Sequence, residues 1–169
     1  MRVLGIDPGT ATTGFGIIDT AKDMRINVID WGLIETAKDG TPESRLVKIH
    51  EELIEKLIFF KPDILAIERV FFATNAKTAI SVGQAIGVMM LSAAKMNVPL
   101  KEYAPGTIKK MVSGTGRADK KMMQQAVRKI LGAKVKSEAH KKTHFDNAAD
   151  ALAIALCHLM KENLYKQEA

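Results

Sequence analysis

The stretch that decides the fold is Met1–Asp19, which reads MRVLGIDPGTATTGFGIID. Its first part, Arg2–Ile6, is apolar and β-prone and predicts a strand. The DPGT sequence at residues 7–10 is a turn signature, and Thr13–Asp19 predicts a second strand. A third strand is predicted at Met24–Glu35 after a hairpin turn, so the chain opens with an antiparallel meander of three strands.

Beyond the meander, the apolar periodicity predicts an alternation of helices and strands. In order, these are a helix over Thr41–Phe60, a strand at Ile64–Glu68, a long helix over Asn75–Met96, a strand at Val98–Tyr103, and helices over Pro105–Val112, Asp119–Leu131 and Asp146–Glu162. Hairpin-linked strands followed by strand–helix alternation give a mixed sheet with helices on its faces. We therefore predict an α/β protein with the RNase H-like fold, a five-stranded mixed sheet flanked by helices. Half of an actin-like ATPase has the same plan.

Length and composition indicate an ordinary globular protein. The chain of 169 residues, 47% of them hydrophobic and 26% charged, suits a single domain over residues 1–169. The lone cysteine, Cys157, excludes an internal disulfide, and its apolar surroundings favour burial. No apolar run looks long enough to span a bilayer, and the N-terminal MRVLGIDPGT lacks a signal-peptide pattern. We expect a cytoplasmic protein without a membrane partner.

Positive charge is concentrated in about one quarter of the chain. The net charge is +6, but Lys101–Lys142 holds 12 Lys and Arg against 3 Asp and Glu, a net charge of +9, while the remainder is slightly acidic. A lysine-rich solvated surface would have the same composition. So local an excess nevertheless favours a surface that faces phosphates.

Three carboxylates occupy positions that an apolar core would not select. Asp7 ends the first strand, Glu68 ends the apolar strand ILAIE, and Asp150 lies within AADALAIAL. Because burying an unpaired carboxylate is costly, each requires a hydrogen-bond partner, a cation or solvent. Taken singly, each acid has an ordinary explanation: Asp7 could cap a turn, Glu68 could be a solvated strand end, and Asp150 could form a salt bridge. If the first and fourth strands are neighbours, however, Asp7 and Glu68 lie side by side, and a helix packed across that end brings Asp150 to them.

Such a cluster predicts a divalent-metal site. Neighbouring carboxylates repel one another unless cations neutralise them, and oxygen-only ligand sets suit Mg²⁺ or Mn²⁺. Two such ions held close together activate a water molecule and stabilise the leaving oxygen at a phosphodiester. We therefore expect Asp7, Glu68 and Asp150 to be the metal ligands of a nuclease.

Five segments in register then resemble the RuvC family of Holliday-junction resolvases. They are LGIDPGTATTGFGIID at residues 4–19, AIERVFFATNAKTAI with SVGQAIGV at 66–88, EYAPGTIKK at 102–110, GTGRADKKMMQ at 114–124 and NAADALAIALCH at 147–158. One of these motifs alone would be weak evidence, because D-x-G-T also occurs in sugar kinases. Five in the family's order, over almost the whole chain, make the resemblance specific.

The resemblance implies four catalytic positions: Asp7, Glu68, Asn147 and Asp150. Family members commonly have Asp, and some have His, where this chain has Asn147, and a neutral amide is a poor Mg²⁺ ligand that cannot act as a base. Three interpretations remain open: a natural variant in which Asp146 compensates, a natural variant that works with three acids, and a substitution introduced to trap an uncut complex. We interpret Asp146 itself as the N-cap of the last helix.

The resemblance also implies how DNA is bound. Lys109 and Lys120 match lysines that contact the region of the scissile phosphate, and Phe71 matches an aromatic residue that stacks on an unpaired base near the crossover. Further contacts to the DNA backbone are assigned to Lys110, Arg117 and Lys121. For any single lysine, a solvated surface charge is the alternative.

The implied partners are four-way junction DNA, a second copy of the chain and the branch-migration helicase of the same pathway. A homodimer presents two equivalent sites to two opposing strands, and the helix Asn75–Met96, apolar nearly all round, suits the interface. The implied cofactor is Mg²⁺, two ions per site, with Mn²⁺ as a substitute.

We therefore expect a Holliday-junction resolvase, a Mg²⁺-dependent endonuclease that makes paired symmetric nicks in opposing strands during recombination and repair. Its products would carry 5′-phosphate and 3′-hydroxyl ends. Three alternatives are a junction-binding protein whose cleavage is impaired by Asn147, an RNase H-fold enzyme acting on RNA, and an ATP-binding protein of the actin-like fold. The last is considered because IDPGTATTG at residues 6–14 resembles a phosphate loop.

Overall fold

The computed structural model describes residues 1–21, 24–69, 76–132 and 142–165, with side chains from residue 78 in the third range and from residue 148 in the last. The strands are β1 (Arg2–Asp7), β2 (Thr12–Thr20), β3 (Ile26–Glu35), β4 (Ile64–Glu68) and β5 (Leu100–Tyr103). The helices are α1 (Pro42–Phe60), α2 (Ala76–Lys95), α3 (Pro105–Ser113), α4 (Lys120–Leu131) and α5 (Lys142–Lys161).

The five strands form one mixed sheet in the order β3-β2-β1-β4-β5. β3, β2 and β1 pair antiparallel, as predicted for the meander, whereas β1 pairs with β4 and β4 with β5 in parallel. The predicted five-stranded mixed sheet flanked by helices is therefore confirmed. Because β1 and β4 are parallel neighbours, their carboxyl ends lie together at one edge of the sheet.

Side-chain alternation divides the core between the two faces of the sheet. Leu4 and Ile6 of β1 pack with α1 and α2 on one face. Val3 of the same strand packs with α3, α4 and α5 on the other. A central strand buried on both faces needs a nearly continuous apolar run, which β1 and β4 have. By the same alternation, Gly5 and Asp7 face the α5 side with Val3.

Capping side chains set the starts of two helices. Thr41 precedes α1, and its hydroxyl accepts a hydrogen bond from the Ser44 N–H. Asp119 precedes α4, and its carboxylate accepts a hydrogen bond from the Met122 N–H at 2.8 Å. Both starts agree with the prediction, because Thr and Asp satisfy the open N–H groups of a first helical turn.

The last helix differs from the prediction at its start. α5 begins at Lys142, so Asp146 lies inside the helix, and its interpretation as the N-cap is wrong. The first four residues of the helix, KTHF, contain neither glycine nor proline, so no helix-breaking residue precedes Asp146 within it. Much of the basic segment between α4 and α5 lies outside the described residues.

The prediction that no segment is long enough to span a membrane is wrong for α2. The window Thr78–Lys95 has the length and apolar composition of such a span, although only 28% of it is buried. Core helices of soluble proteins can have the same length and apolar composition, but they are mostly buried, unlike α2. In α2, Ala85 and Met89 pack into the core while Ile80 and Leu91 are exposed, so one side of the helix is an apolar surface.

Candidate active site

Two carboxylates end the two central strands at the same edge of the sheet. Asp7 is the last residue of β1 and Glu68 the last of β4, and the parallel register pairs Ile6 with Ile67 immediately before them. Asp7 and Glu68 therefore lie side by side, as the strand order predicted. Both are half-buried on the face that α5 covers.

A row of small residues beside the acids lets α5 lie directly against the sheet. Gly5 pairs with Gly16 on one side and Ala66 on the other. A Cβ atom at Gly5 would overlap the Ala151 carbonyl oxygen and would lie 2.8 Å from the Ala155 backbone nitrogen. Only a strand residue without a side chain permits this approach.

The close approach places the third carboxylate. Asp150 directly precedes Ala151 on α5 and is half-buried. Burial raises the pKa values of Asp7 and Glu68, and the negative charge of Asp150 raises both further, so the three carboxylates interact electrostatically. The contact between α5 and β1 thus brings Asp150 to the edge of the sheet at which Asp7 and Glu68 end.

Burial and mutual repulsion make this group hard to ionise. Burial is the largest cause that raises the pKa of Asp7 to about 7, followed by the charges of Asp150 and Glu68, while Lys120 acts in the opposite direction. The pKa of Glu68 is also raised, first by burial and then by Asp150, and Lys109 partly offsets the rise. The site therefore favours added positive charge.

Two lysines already face the acids from separate helices. Lys120 is the first residue of α4, and its Nζ atom lies 3.8 Å from Oδ2 of Asp150. Lys109, on α3, is half-buried, and its charge acts on Glu68. The edge of the sheet thus brings together five of the residues predicted from the sequence.

The donor set fits a hard divalent cation. The three carboxylates offer only oxygen, which suits Mg²⁺ or Mn²⁺. Among the described residues, no three His, Cys, Asp or Glu side chains are already gathered as a metal-binding group. A cation would also relieve the repulsion that raises the pKa of Asp7.

Comparison with known proteins identifies the family. Residues 3–158 match the family model described as crossover junction endodeoxyribonuclease RuvC. The chain belongs to the RuvC family. The crossover junction endodeoxyribonuclease RuvC of Caldicellulosiruptor saccharolyticus is 42% identical over 170 residues, which cover 99% of each chain. That of Thermotoga petrophila is 45% identical over 161 residues, 95% of this chain and 93% of the relative.

Solved structures confirm the RNase H-like fold of this RuvC-family chain. The structure of T. thermophilus RuvC in complex with a Holliday junction substrate superposes with a TM-score of 0.85 at 32% identity, covering 97% of this chain and 96% of that one. The yeast mitochondrial resolvase Ydc2, 20% identical, shares the fold with a TM-score of 0.70. The predicted family resemblance is confirmed, which assigns the chain to a family of DNA-processing enzymes rather than to the actin-like ATP-binding class. Nucleases of the RuvC family are metal-dependent.

The remaining predicted site residues are dispersed or undescribed. Lys110 on α3, Arg117 in the loop before α4 and Lys121 on α4 are all exposed. Phe71 lies outside the described residues. Asn147 belongs to α5 one turn before Asp150, but its side chain lies outside the described ones.

Sequence reasoning missed the residues on which α5 rests. Gly5 and Ala66 each precede a site carboxylate by two positions, which puts them on the same face of the sheet as that acid. On α5, Ala151 and Ala155 are one turn apart and follow Asp150. The signal that could have found them is a small residue two positions before each strand-end acid, together with an alanine-rich helix.

Proposed function

We propose that this RuvC-family chain is a Holliday-junction resolvase that nicks two opposing strands of a four-way DNA junction. The observation that carries the proposal is the grouping of Asp7, Glu68 and Asp150 at one edge of the sheet, with Lys109 and Lys120 beside them. The T. thermophilus relative, whose structure holds a Holliday junction substrate, supports the choice of DNA. The expected ends are a 5′-phosphate and a 3′-hydroxyl.

Asp7, Glu68 and Asp150 would hold Mg²⁺ in this proposal, with two ions per site and Mn²⁺ as a substitute. When bound, Mg²⁺ supplies Lewis-acid stabilisation of phosphate charge and activation of the attacking water. Burial and then the charges of Asp150 and Glu68 raise the pKa of Asp7, so a bound cation would stabilise the ionised form of this acid.

The chain's own cations act on the DNA. Lys120 lies 3.8 Å from Asp150, so a phosphate held at the acids would lie within its reach. Lys109 approaches the same place from α3. Positioned cations stabilise the negative charge that builds up on a phosphate during cleavage. Lys110, Arg117 and Lys121 would hold the flanking DNA backbone, and Phe71 would stack on an unpaired base.

The exposed side of α2 supports a homodimer. Ile80, Met90 and Leu91 are 62%, 45% and 56% exposed, and they lie on a stripe with Gly83 and Gly87, at which an added Cβ would meet nothing within 4 Å. An apolar helix face with small residues at its centre suits close packing against a second helix. A two-fold axis through this stripe would present two active sites to the two-fold symmetric junction.

Asn147 favours a second candidate function, a junction-binding protein that does not cut. Residue 147 is an amide where family members commonly have Asp and some have His. We favour cleavage by the three acids over this second candidate, with Asn147 as a neutral residue that supplies no catalytic acid. A cytoplasmic location and docking to the branch-migration helicase follow from the family resemblance.

The test is cleavage of a labelled four-way junction with Mg²⁺, compared with linear duplex, single-stranded DNA and an RNA–DNA hybrid. We expect nicks at symmetric positions in two opposing strands of the junction alone, and none with EDTA. Glu68→Gln should bind the junction and leave it whole. Cleavage of the hybrid in preference to the junction would overturn the proposal in favour of an RNA-acting enzyme.

A further inference from the structure

A buried hydrogen bond joins the last residue of β5 to α5. The hydroxyl oxygen of Tyr103 and Nδ1 of His158 are 2.7 Å apart, and the two residues are 5% and 2% exposed. Burial raises the pKa of Tyr103 to about 12 and lowers the pKa of His158. Both groups therefore stay neutral near pH 7, and the bond between them persists there.

This bond lies beside one of the site carboxylates. Tyr103 is the register partner of Glu68 in the parallel pair of β4 and β5, and its carbonyl oxygen accepts a hydrogen bond from the Arg69 N–H at 2.8 Å. Register partners in a sheet point to the same face, so Tyr103 and Glu68 both lie on the face that α5 covers. The tyrosine thus links the strand end that carries Glu68 to the helix that carries Asp150.

The bond complements the contact at Gly5. Ala151 and His158 are seven residues apart, or two helical turns, so both lie on the side of α5 that faces the sheet. At Gly5 the contact involves backbone atoms and a methyl group, which limit how closely α5 approaches but leave it free to roll about its axis. A hydrogen bond is directional and restricts that roll. Because Asp150 directly precedes Ala151, a roll of α5 would move its carboxylate relative to the other two acids.

The pair has a cost that packing alone does not explain. Nε2 of His158 is buried and has no hydrogen-bond partner among the residues that the structure describes. A buried polar atom without a partner destabilises the folded state, whereas apolar residues of similar shape in place of both partners would not. Sequences depart from the most stable choice in this way chiefly at positions that serve function.

We propose that the Tyr103–His158 bond positions the active site, because it holds α5 at the roll angle that directs Asp150 towards the two strand-end acids. The inference rests on the proposed function, since it takes the three acids to act together on Mg²⁺ and DNA. Tyr103 and His158 are positioning residues that act through α5. Loss of the bond should therefore impair nicking and the response to Mg²⁺, and leave junction binding unchanged.

The test compares the double variant Tyr103→Phe/His158→Leu with the control Ser92→Ala. The double variant removes both polar partners and leaves no unpaired atom, so its melting temperature without metal should equal or exceed that of the parent. Ser92 is a matched control because it is fully buried and its hydroxyl lies 2.8 Å from Nδ1 of His50. That pair joins α1 to α2 on the opposite face of the sheet, so Ser92→Ala should nick and respond to Mg²⁺ like the parent.

The first readout is the nicking rate at saturating junction, with junction affinity measured in EDTA. Because a misplacement of about 1 Å can lower a rate by about 100-fold, we expect the double variant to nick about 10- to 100-fold more slowly than the parent, with unchanged affinity. The single variant Tyr103→Phe, which removes only the hydroxyl, should show the same loss. A double variant that nicks at the parent rate would overturn the proposal, as would an equal loss in Ser92→Ala.

The second readout is the rise in melting temperature on addition of Mg²⁺ at pH 8, which requires no cleavage. We expect a smaller rise for the double variant than for the parent and for Ser92→Ala, because three misdirected acids bind the cation less tightly. An equal rise in the double variant and the parent would overturn the proposal. A parent chain that binds the junction without nicking it would refute the proposed function, and the Mg²⁺ response would still decide whether the Tyr103–His158 bond positions the acids.

Discussion

Gly5 of β1 and Ala151 of α5 are in backbone contact, so closely that a methyl group at position 5 would overlap the Ala151 carbonyl oxygen. Asp7 lies two residues beyond Gly5, and Asp150 directly precedes Ala151. The distance between strand and helix at this contact therefore sets the distance between the two carboxylates. A change at Gly5 acts on the site without altering any acid.

We expect Gly5→Ala to displace α5 and to lower both stability and cleavage. Overpacking of this kind costs about 1–3 kcal/mol of unfolding free energy, measurable by urea denaturation. Nicking of a four-way junction should fall at least tenfold under conditions in which the variant is folded. Gly106→Ala is the control, since an added Cβ there meets nothing within 4 Å. If folded Gly5→Ala nicked the junction at the parent rate, the contact of α5 with Gly5 would not be what positions Asp150.

Asp7→Asn should stabilise the metal-free protein at high pH. The pKa of Asp7 is raised from 3.8 to about 7 in the folded state, so the folded chain binds a proton at Asp7 more tightly than the unfolded chain does. Stability from this group is full below about pH 4 and is lost as the pH rises to about 7. At pH 8 the variant should therefore be more stable by up to about 4 kcal/mol, and the difference should vanish at about pH 4.

Adding Mg²⁺ should reverse the order of stability of the parent chain and Asp7→Asn at pH 8. Because a cation stabilises the ionised acids, Mg²⁺ should raise the melting temperature of the parent chain at pH 8 and have little effect on Asp7→Asn. The exposed Asp39→Asn serves as the control and should respond to Mg²⁺ like the parent. A parent chain that is indifferent to both Mg²⁺ and Mn²⁺ would contradict the assignment of the acids as a cation site.

Lys120→Met should separate catalysis from stability. The Lys120–Asp150 pair is partly exposed, so its loss should change the unfolding free energy by less than about 0.5 kcal/mol. Nicking should fall by about 100-fold or more, because the positioned cation acts on the charge of the phosphate. Lys48→Met breaks a surface pair of 2.8 Å on α1 and should leave nicking intact. Equal nicking by the two variants would remove Lys120 from the active site.

Leu91→Lys should dissociate the proposed homodimer. A charge at the centre of an apolar interface is costly to bury, so light scattering should give the mass of one chain for this variant and of two for the parent. Val47→Lys, at a 54% exposed position on α1, should remain dimeric. A parent chain that is monomeric at micromolar concentration would contradict the assignment of the α2 stripe as the interface.

Much of the fold could be predicted because its signals are local. Apolar runs mark β1 and β4, and capping residues mark the starts of α1 and α4. The start of α5 was misplaced because Asp146 has the chemistry of an N-cap but is preceded by helix-compatible residues. The exposed side of α2 could not be predicted from composition, since a helix apolar all round does not reveal which side the core covers.

The site was predictable in part for the same reason. Asp7 and Glu68 stand out as acids at the ends of apolar strands, and a parallel pairing of those strands brings them together. The role of Gly5 depends on a contact between segments about 150 residues apart. No local sequence pattern predicts how closely α5 approaches the sheet. Asn147 was noticed only through the family resemblance, because an amide near the start of a helix is otherwise unremarkable.

The central claim is that Asp7, Glu68 and Asp150 suffice for junction resolution in this chain. The direct measurement is Mg²⁺-dependent nicking of a four-way junction by the parent chain, by Asn147→Asp and by Asp150→Asn, with junction binding recorded for each. We predict paired symmetric nicks by the parent, faster nicking by Asn147→Asp, and binding without nicking by Asp150→Asn. If Asn147→Asp alone cuts while the parent only binds, three acids do not suffice and the chain is a binding form. If none of the three cuts although all bind, the assignment of the catalytic acids is wrong.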